Sequence, residues 1–325
     1  MDLPRKNIAI IATIVMTLSL LLFTTLNGFK GFGSTAPEVP GDSLFFNKPF
    51  RLPDELSFAG ERVPLENFDT RESLEREIIV SAYRHSSTIL IIKRAARYLP
   101  VIEPILKKNG IPDDFKFLVA AESEYSNMIS PAGATGFWQI MQATGREYGL
   151  EINSVVDERY HLEKSTQLAC DFLRKSYDKY GSWTMAAASY NCGRSGLDTQ
   201  VSIQKKNNYY DLLLNEETAR YIFRVVAYKL IINDPREYGF CIEENELYPE
   251  LGYHEVKVDS EVTDFSDFAA MHGTNYKLLK LYNPWLRRPY LTPRQGKSYL
   301  IKIPAAGLRN PESIKSSGRI YQDSQ

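Results

Sequence analysis

Cysteine is scarce in this chain, with Cys170, Cys192 and Cys241 the only three among 325 residues. An odd number so widely spread excludes a disulfide framework and a metal knuckle. What is left is three small, partly buried side chains. A nucleophilic Cys192 would need His161 beside it, and nothing in the spacing specifies that approach. Charge of one sign is also missing: 39 Lys and Arg stand against 40 Asp and Glu, for a net charge of −1. Such a balance lacks the basic field of a phosphate-binding surface, so no nucleic-acid partner is implied. There is no His-x-x-x-His pair, no Gly-rich phosphate loop and no acidic calcium loop. Neither a metal nor a nucleotide cofactor is therefore expected.

What is present describes a globular chain of 43% hydrophobic and 24% charged residues, long enough for two domains. Arg5 and Lys6 precede an apolar run over residues 8–26, broken only by Thr and Ser. The run is long enough to cross a bilayer, and the leading positive charges place the N-terminus in the cytoplasm and the bulk of the chain outside. Residues 1–29 thus read as a signal or anchor segment. Ser34-Thr35-Ala36 before Pro37 is a poor cleavage site, which favours a retained anchor over secretion after cleavage. Residues 30–68 read as a linker followed by an irregular segment wrapping the fold, with Pro49, Pro53 and Pro64 spaced through it. From Thr70, a cap candidate, Leu74, Ile78, Tyr83, Ile89 and Ile92 recur at helical spacing and predict one long helix.

The stretch around which the rest is organised is 115–141. Pro112 suits the first turn of a helix, and Asp113 and Asp114 suit its positive end. Phe115, Leu118 and Val119 lie seven, four and three residues before Glu122, which puts this carboxylate on an apolar stripe. Burial there disfavours the charged form, the condition for an acid that must hold a proton near neutral pH. Glu124 projects to the other side and reads as solvated. Small residues follow, Ser130-Pro131-Ala132-Gly133-Ala134, then Gly136-Phe137-Trp138-Gln139. They permit close backbone approach, with Trp138 offering a stacking face and Gln139 an amide.

Glu122-Ser123, the SPAGATGFWQ segment, Val156-Asp157-Glu158-Arg159, Ala188-Ser189-Tyr190-Asn191 and Glu217-Thr218-Ala219-Arg220-Tyr221 resemble the ordered motifs of the lytic murein transglycosylases, over roughly residues 99–230. The resemblance is strongest to the membrane-bound type D enzymes. It implies a mainly α architecture, a lysozyme-like helical transglycosylase domain over 69–235. It also implies Glu122 as the catalytic acid, with Ser123, Ser130, Gln139, Tyr190, Asn191, Glu217 and Tyr221 as substrate-binding residues. Tyr190 and Tyr221 would lie near the Glu122 carboxyl group, and Asn191 and Glu217 toward the saccharide. The charges of 157–159 read as an internal salt-bridge cluster rather than a substrate contact.

Composition shifts after Asn233-Asp234-Pro235. Residues 236–252 connect to an alternating strand at 254–258, two short helices at 267–271 and 276–281, and a closing strand at 299–304. This βααβ order resembles a LysM module over 253–304, a small α+β fold that binds N-acetylglucosamine polymers. The usual Gly-Asp-Thr-Leu sequence after the first strand is here Asp259-Ser260-Glu261-Val262. Packing against the helical domain is thus a competing role for it. Residues 305–325 are polar and read as a frayed, disordered tail.

Ordinary glycosidases use two carboxylates, and no obvious second one accompanies Glu122. The resemblance accounts for that: the acid protonates the bond between N-acetylmuramic acid and N-acetylglucosamine, and the substrate supplies its own nucleophile. Peptidoglycan strands are the implied partner, the cell envelope the implied location. A hydrolytic muramidase of the same fold and a non-catalytic murein-binding scaffold are the alternatives.

Overall fold

The computed structural model describes residues 50–293, 296–305, 307 and 309. The expected anchor at 1–29, most of the linker and most of the tail lie outside the described residues. Among the described residues no helix is long and apolar enough to cross a membrane. The chain enters through a small hairpin, β1 (Ser57–Phe58) and β2 (Glu61–Arg62), turned by Ala59 and Gly60 at positive φ. Phe58, Val63 and Leu65 are buried under it, so this segment contributes to the core.

Two helices replace the single long one expected. They are α1 (Phe68–Tyr83) and α2 (His85–Lys108), separated at Arg84, whose ψ of 52° is not helical. The Thr88 hydroxyl donates to the Ser81 carbonyl at 2.5 Å and spans the break. Thr70 is no cap: the helix starts after Asn67, and Thr70 is buried in its first turns. Next come a 3-10 turn (Asp113–Phe117), α3 (Leu118–Ser123), α4 (Gln142–Glu147), a 3-10 turn (Glu158–Tyr160), α5 (Leu162–Tyr180), α6 (Trp183–Cys192), α7 (Arg194–Gln204) and α8 (Glu216–Asn233). Helix α7 was not anticipated. Of its residues only Leu197 is buried, so it carries almost no apolar stripe to read. Helix α8 is the central one, with nine buried residues, packed on α1, α3 and α6.

Beyond a connector, β3 (Tyr253–Val258) and β4 (Tyr299–Pro304) pair antiparallel, Tyr253 opposite Pro304 and Val258 opposite Tyr299. Helices α9 (Phe265–Met271) and α10 (Tyr276–Tyr282) lie between them in sequence. This gives the small α+β unit that the strand and helix pattern predicted. It is built onto the helical part, not merely tethered to it. Val156 and Tyr160 belong to the same buried cluster as Phe265, Trp285 and Ile301. Asp157 N–H donates to the Trp285 carbonyl at 2.9 Å, and Arg287 N–H to the Val155 carbonyl at 2.7 Å. The packing role is therefore realised.

Candidate active site

Helix α3 is only six residues long, and its position comes from what it buries: Phe115, Leu118 and Val119 are fully enclosed. It stops abruptly because Glu124 and Tyr125 both adopt left-handed backbone, at φ 53° and 50°. Non-glycine residues resist that conformation. Here it is over-determined. Tyr125 is wholly buried and its hydroxyl donates to the Lys116 carbonyl, while Arg84 binds the Glu124 carboxylate at 2.8 Å and Arg94 its carbonyl. Glu124 is thus ion-paired rather than merely solvated.

The loop after α3 folds back on itself through bridges between Ile129 and Thr135 and between Thr135 and Ile140. Gly136 is required on two counts: its φ is 83°, and a Cβ there would stand 2.2 Å from the Arg159 carbonyl oxygen. Arg159 itself is buried, paired with Asp157 at 2.7 Å and donating to the Gly133 and Ile140 carbonyls. The Val156–Arg159 motif therefore braces this loop. Trp138 offers no stacking face to a ligand; it is completely buried, and its indole N–H donates to Thr166. Ser123 is likewise withdrawn, its hydroxyl buried and donating to the Phe137 carbonyl at 2.7 Å, which corrects its assignment as a substrate contact. Ser130 accepts from Ala134 N–H, and Gln139 donates through its amide nitrogen to the Gly136 and Met128 carbonyls.

Glu122 meets its neighbours across this frame. The Tyr221 hydroxyl, from buried α8, donates to a Glu122 carboxylate oxygen at 2.6 Å. Removal from water raises the Glu122 pKa to about 7, against the Tyr221 hydrogen bond and the charge of Arg224, which favour the ionised form; the charge of Glu217 pushes the same way as burial. Tyr190 comes from α6, whose Ala186, Ala187 and Ala188 are fully buried and allow close packing. The start of α6 is set by Ser182 and by Glu61 in the hairpin, whose carboxylate accepts from the Trp183 and Thr184 N–H groups and both hydroxyls beside them. No sequence signal at Glu61 foretold that.

The Tyr190 hydroxyl donates to the Trp138 carbonyl at 2.7 Å, not to Glu122. Burial first, and the charge of Glu122 second, push its pKa well up, so the two groups are neighbours without a direct bond. Asn191 accepts from the Thr218 hydroxyl at 2.8 Å. Glu217 is exposed in the first turn of α8, which Asn215 caps. Glu122, Tyr190, Asn191, Glu217 and Tyr221 are thus brought together; Ser123 is behind them. Cys192 lies beside Thr218 with its thiol pushed up by burial, which disfavours the thiolate, and His161 stands instead against Trp285 and Glu163.

Two domain families match the chain. Residues 100–213 match the family described as the transglycosylase SLT domain, and residues 254–307 match the soluble lytic transglycosylase C-terminal LysM-like domain. Membrane-bound lytic murein transglycosylase D of Escherichia coli K12 is 27% identical over 241 residues, 71% of this chain and 51% of that protein. A putative tributyltin chloride resistance protein of an Alteromonas species is 26% identical over 129 residues, 39% of this chain and 62% of that protein. The X-ray structure of an inactive mutant of lytic transglycosylase Slt from Pseudomonas aeruginosa aligns over 46% of this chain and 26% of its own, at 19% identity and a TM-score of 0.35. The chain spans about half the length of the transglycosylase D it matches. It carries a lysozyme-like SLT transglycosylase domain followed by a small LysM-like domain.

Proposed function

We propose that this protein is a peptidoglycan lytic transglycosylase that cleaves the β-1,4 bond from N-acetylmuramic acid to N-acetylglucosamine without water. The observation that carries the reading is a single half-buried carboxyl group, Glu122, raised to about 7 and held by Tyr221 at 2.6 Å. An acid so placed is part protonated at neutral pH and gives its proton to the glycosidic oxygen. As the resulting carboxylate, it takes the proton of the C6 hydroxyl while that oxygen attacks the anomeric carbon, closing a 1,6-anhydro ring. The Tyr221 hydrogen bond stabilises the ionised form between those steps. Asn191 and Gln139 offer amides, and Ser130 a hydroxyl, to orient the sugar, with Tyr190 as a wall. The apolar run at 8–26 suits an anchor on the outer face of the cytoplasmic membrane, consistent with the membrane-bound relative.

A second reading has one observation behind it: the charge of Glu217 reaches Glu122. Were Glu217 to activate water, the same site would be a hydrolase. Mass spectrometry of muropeptides released from purified murein separates the two. The wild-type protein should release anhydro-muramic ends and Glu122→Gln should release none. Reducing ends from the wild type would assign hydrolysis; retained murein binding with no release would assign a scaffold.

A further inference from the structure

Glu77 of α1 is 1% exposed and lies outside the cleft, yet it is surrounded by cations. Its carboxylate takes Arg220 Nε at 2.7 Å and Arg76 Nη1 at 3.4 Å, with Arg224 Nε at 3.7 Å from its other oxygen. A buried carboxylate is tolerated only with such pairing. Its partners are more telling than its burial. Arg220 and Arg224 are one turn apart on α8, and Glu217, Tyr221 and Arg224 follow at i, i+4 and i+7 on that same helix. Arg224 thus pairs with Glu77 on the α1 side while its charge also reaches Glu122 of α3, which Tyr221 of the same helix face touches at 2.6 Å.

We propose that Glu77 is a positioning residue for the transglycosylase reaction, holding the Arg224 guanidinium toward α1 so that it does not form an ion pair with Glu122. This rests on the proposed function and adds to it the device that keeps the acid usable. Free of Glu77, Arg224 would favour the Glu122 carboxylate, and the proton needed for the first step would be lost at neutral pH. The balance is local. Glu122 is faced from α8 by Glu217, Tyr221 and Arg224, and from α6 by Tyr190. The charged groups of the 3-10 turn preceding α3 are committed elsewhere, Lys116 to Glu103 and Asp113, and Asp114 to Lys229. Around Glu77, Glu216 shares Arg76 and Arg220, and the Tyr209 phenol packs nearby with its hydroxyl on the Thr218 and Ala219 carbonyls.

The test is an NMR titration of the Glu122 carboxyl carbon in the full chain, assigned with Glu122→Gln, beside the pH dependence of muropeptide release. In Glu77→Gln the Glu122 midpoint and the alkaline fall in release should both move down by about half a pH unit or more, and in Arg224→Gln both should move up by a similar amount. The double variant should titrate as Arg224→Gln alone, since without the guanidinium Glu77 has nothing to hold, and additive shifts that cancel back to wild type would count against the inference. If Glu77→Gln does not fold, Glu77→Asp, which keeps the charge but withdraws it, should give a smaller downward shift. An unmoved midpoint in a folded Glu77 variant, with only a lower Tm, would overturn the inference and make Glu77 a helix-packing ion alone. Because the titration needs no turnover, a wild type that releases no anhydro ends defeats the proposed function without touching this result.

Discussion

In the proposed reaction Glu122 gives a proton and then takes one back, which needs a carboxyl group near its own midpoint, and four influences are weighed to put it there. Burial dominates, Tyr221 and Arg224 oppose it, and Glu217 assists it. Tyr221→Phe removes the donor at 2.6 Å from the carboxylate that the proposed reaction forms. Losing one charge-assisted hydrogen bond should cost roughly 10- to 100-fold in kcat. Since that bond favours the ionised form, its loss raises the Glu122 pKa further, so the alkaline fall in the pH–rate profile should move up. A profile that drops without moving would make Tyr221 a packing residue only. At this scale the sequence was legible where a residue's neighbours are local: the i−3, i−4 and i−7 positions placed Glu122 on a stripe whose members, Phe115, Leu118 and Val119, are all enclosed. It was not legible for Ser123 and Trp138, which look polar or amphipathic in the motif. Their partners, the Phe137 carbonyl and Thr166, are fixed only by tertiary packing.

Among the elements, the loop between α3 and α4 shows why small residues cluster there. Gly133 and Gly136 share a positive φ, but only Gly136 has a neighbour where a side chain would go, the Arg159 carbonyl oxygen at 2.2 Å. Gly133→Ala should therefore cost only conformational strain, about 1 kcal/mol. Gly136→Ala must also displace the backbone of the bracing motif, for about 3 kcal/mol or more and a fall in Tm of roughly 6–12 °C. Equal thermal shifts for the two would contradict this account. The helix boundaries missed from sequence have comparable causes. The break at Arg84 leaves no Pro or Gly to mark it, and α7 buries a single side chain. Glu61 caps α6 from 122 residues away, a pairing no local pattern could announce. By contrast, the βααβ order of the C-terminal unit followed from local alternation and short helical segments; the Asn275 and Asp264 side chains that cap α10 and α9 went unread.

For the whole molecule, the question is what welds the C-terminal unit to the helical part. Besides the shared apolar cluster, ion pairs cross the junction: Lys302 of β4 binds Glu163 of α5, and Lys297 and Tyr299 bind buried Glu151. The flanking cavity of about 360 Å³ is lined from both sides, by Tyr98 and His161 and by Tyr253 and Trp285. Burial alone would raise the Glu163 pKa. The His161 ring, its Nδ1 3.1 Å away, and the charge of Lys302 outweigh it and hold the carboxyl down to about 2. A carboxyl depressed in the folded state contributes stability that is complete above its unfolded value, near pH 4.5, and is lost as pH falls toward 2. Glu163→Gln should therefore lower Tm at pH 7 by a few degrees, about 3 °C per kcal/mol lost, and leave a smaller difference from wild type at pH 3. Because the junction is a packed core and not a linker, the loss should shift one cooperative calorimetric transition that includes both parts. Two separate transitions, only one of them responding to Glu163, would show instead that the LysM-like unit folds on its own and that these pairs merely decorate its edge.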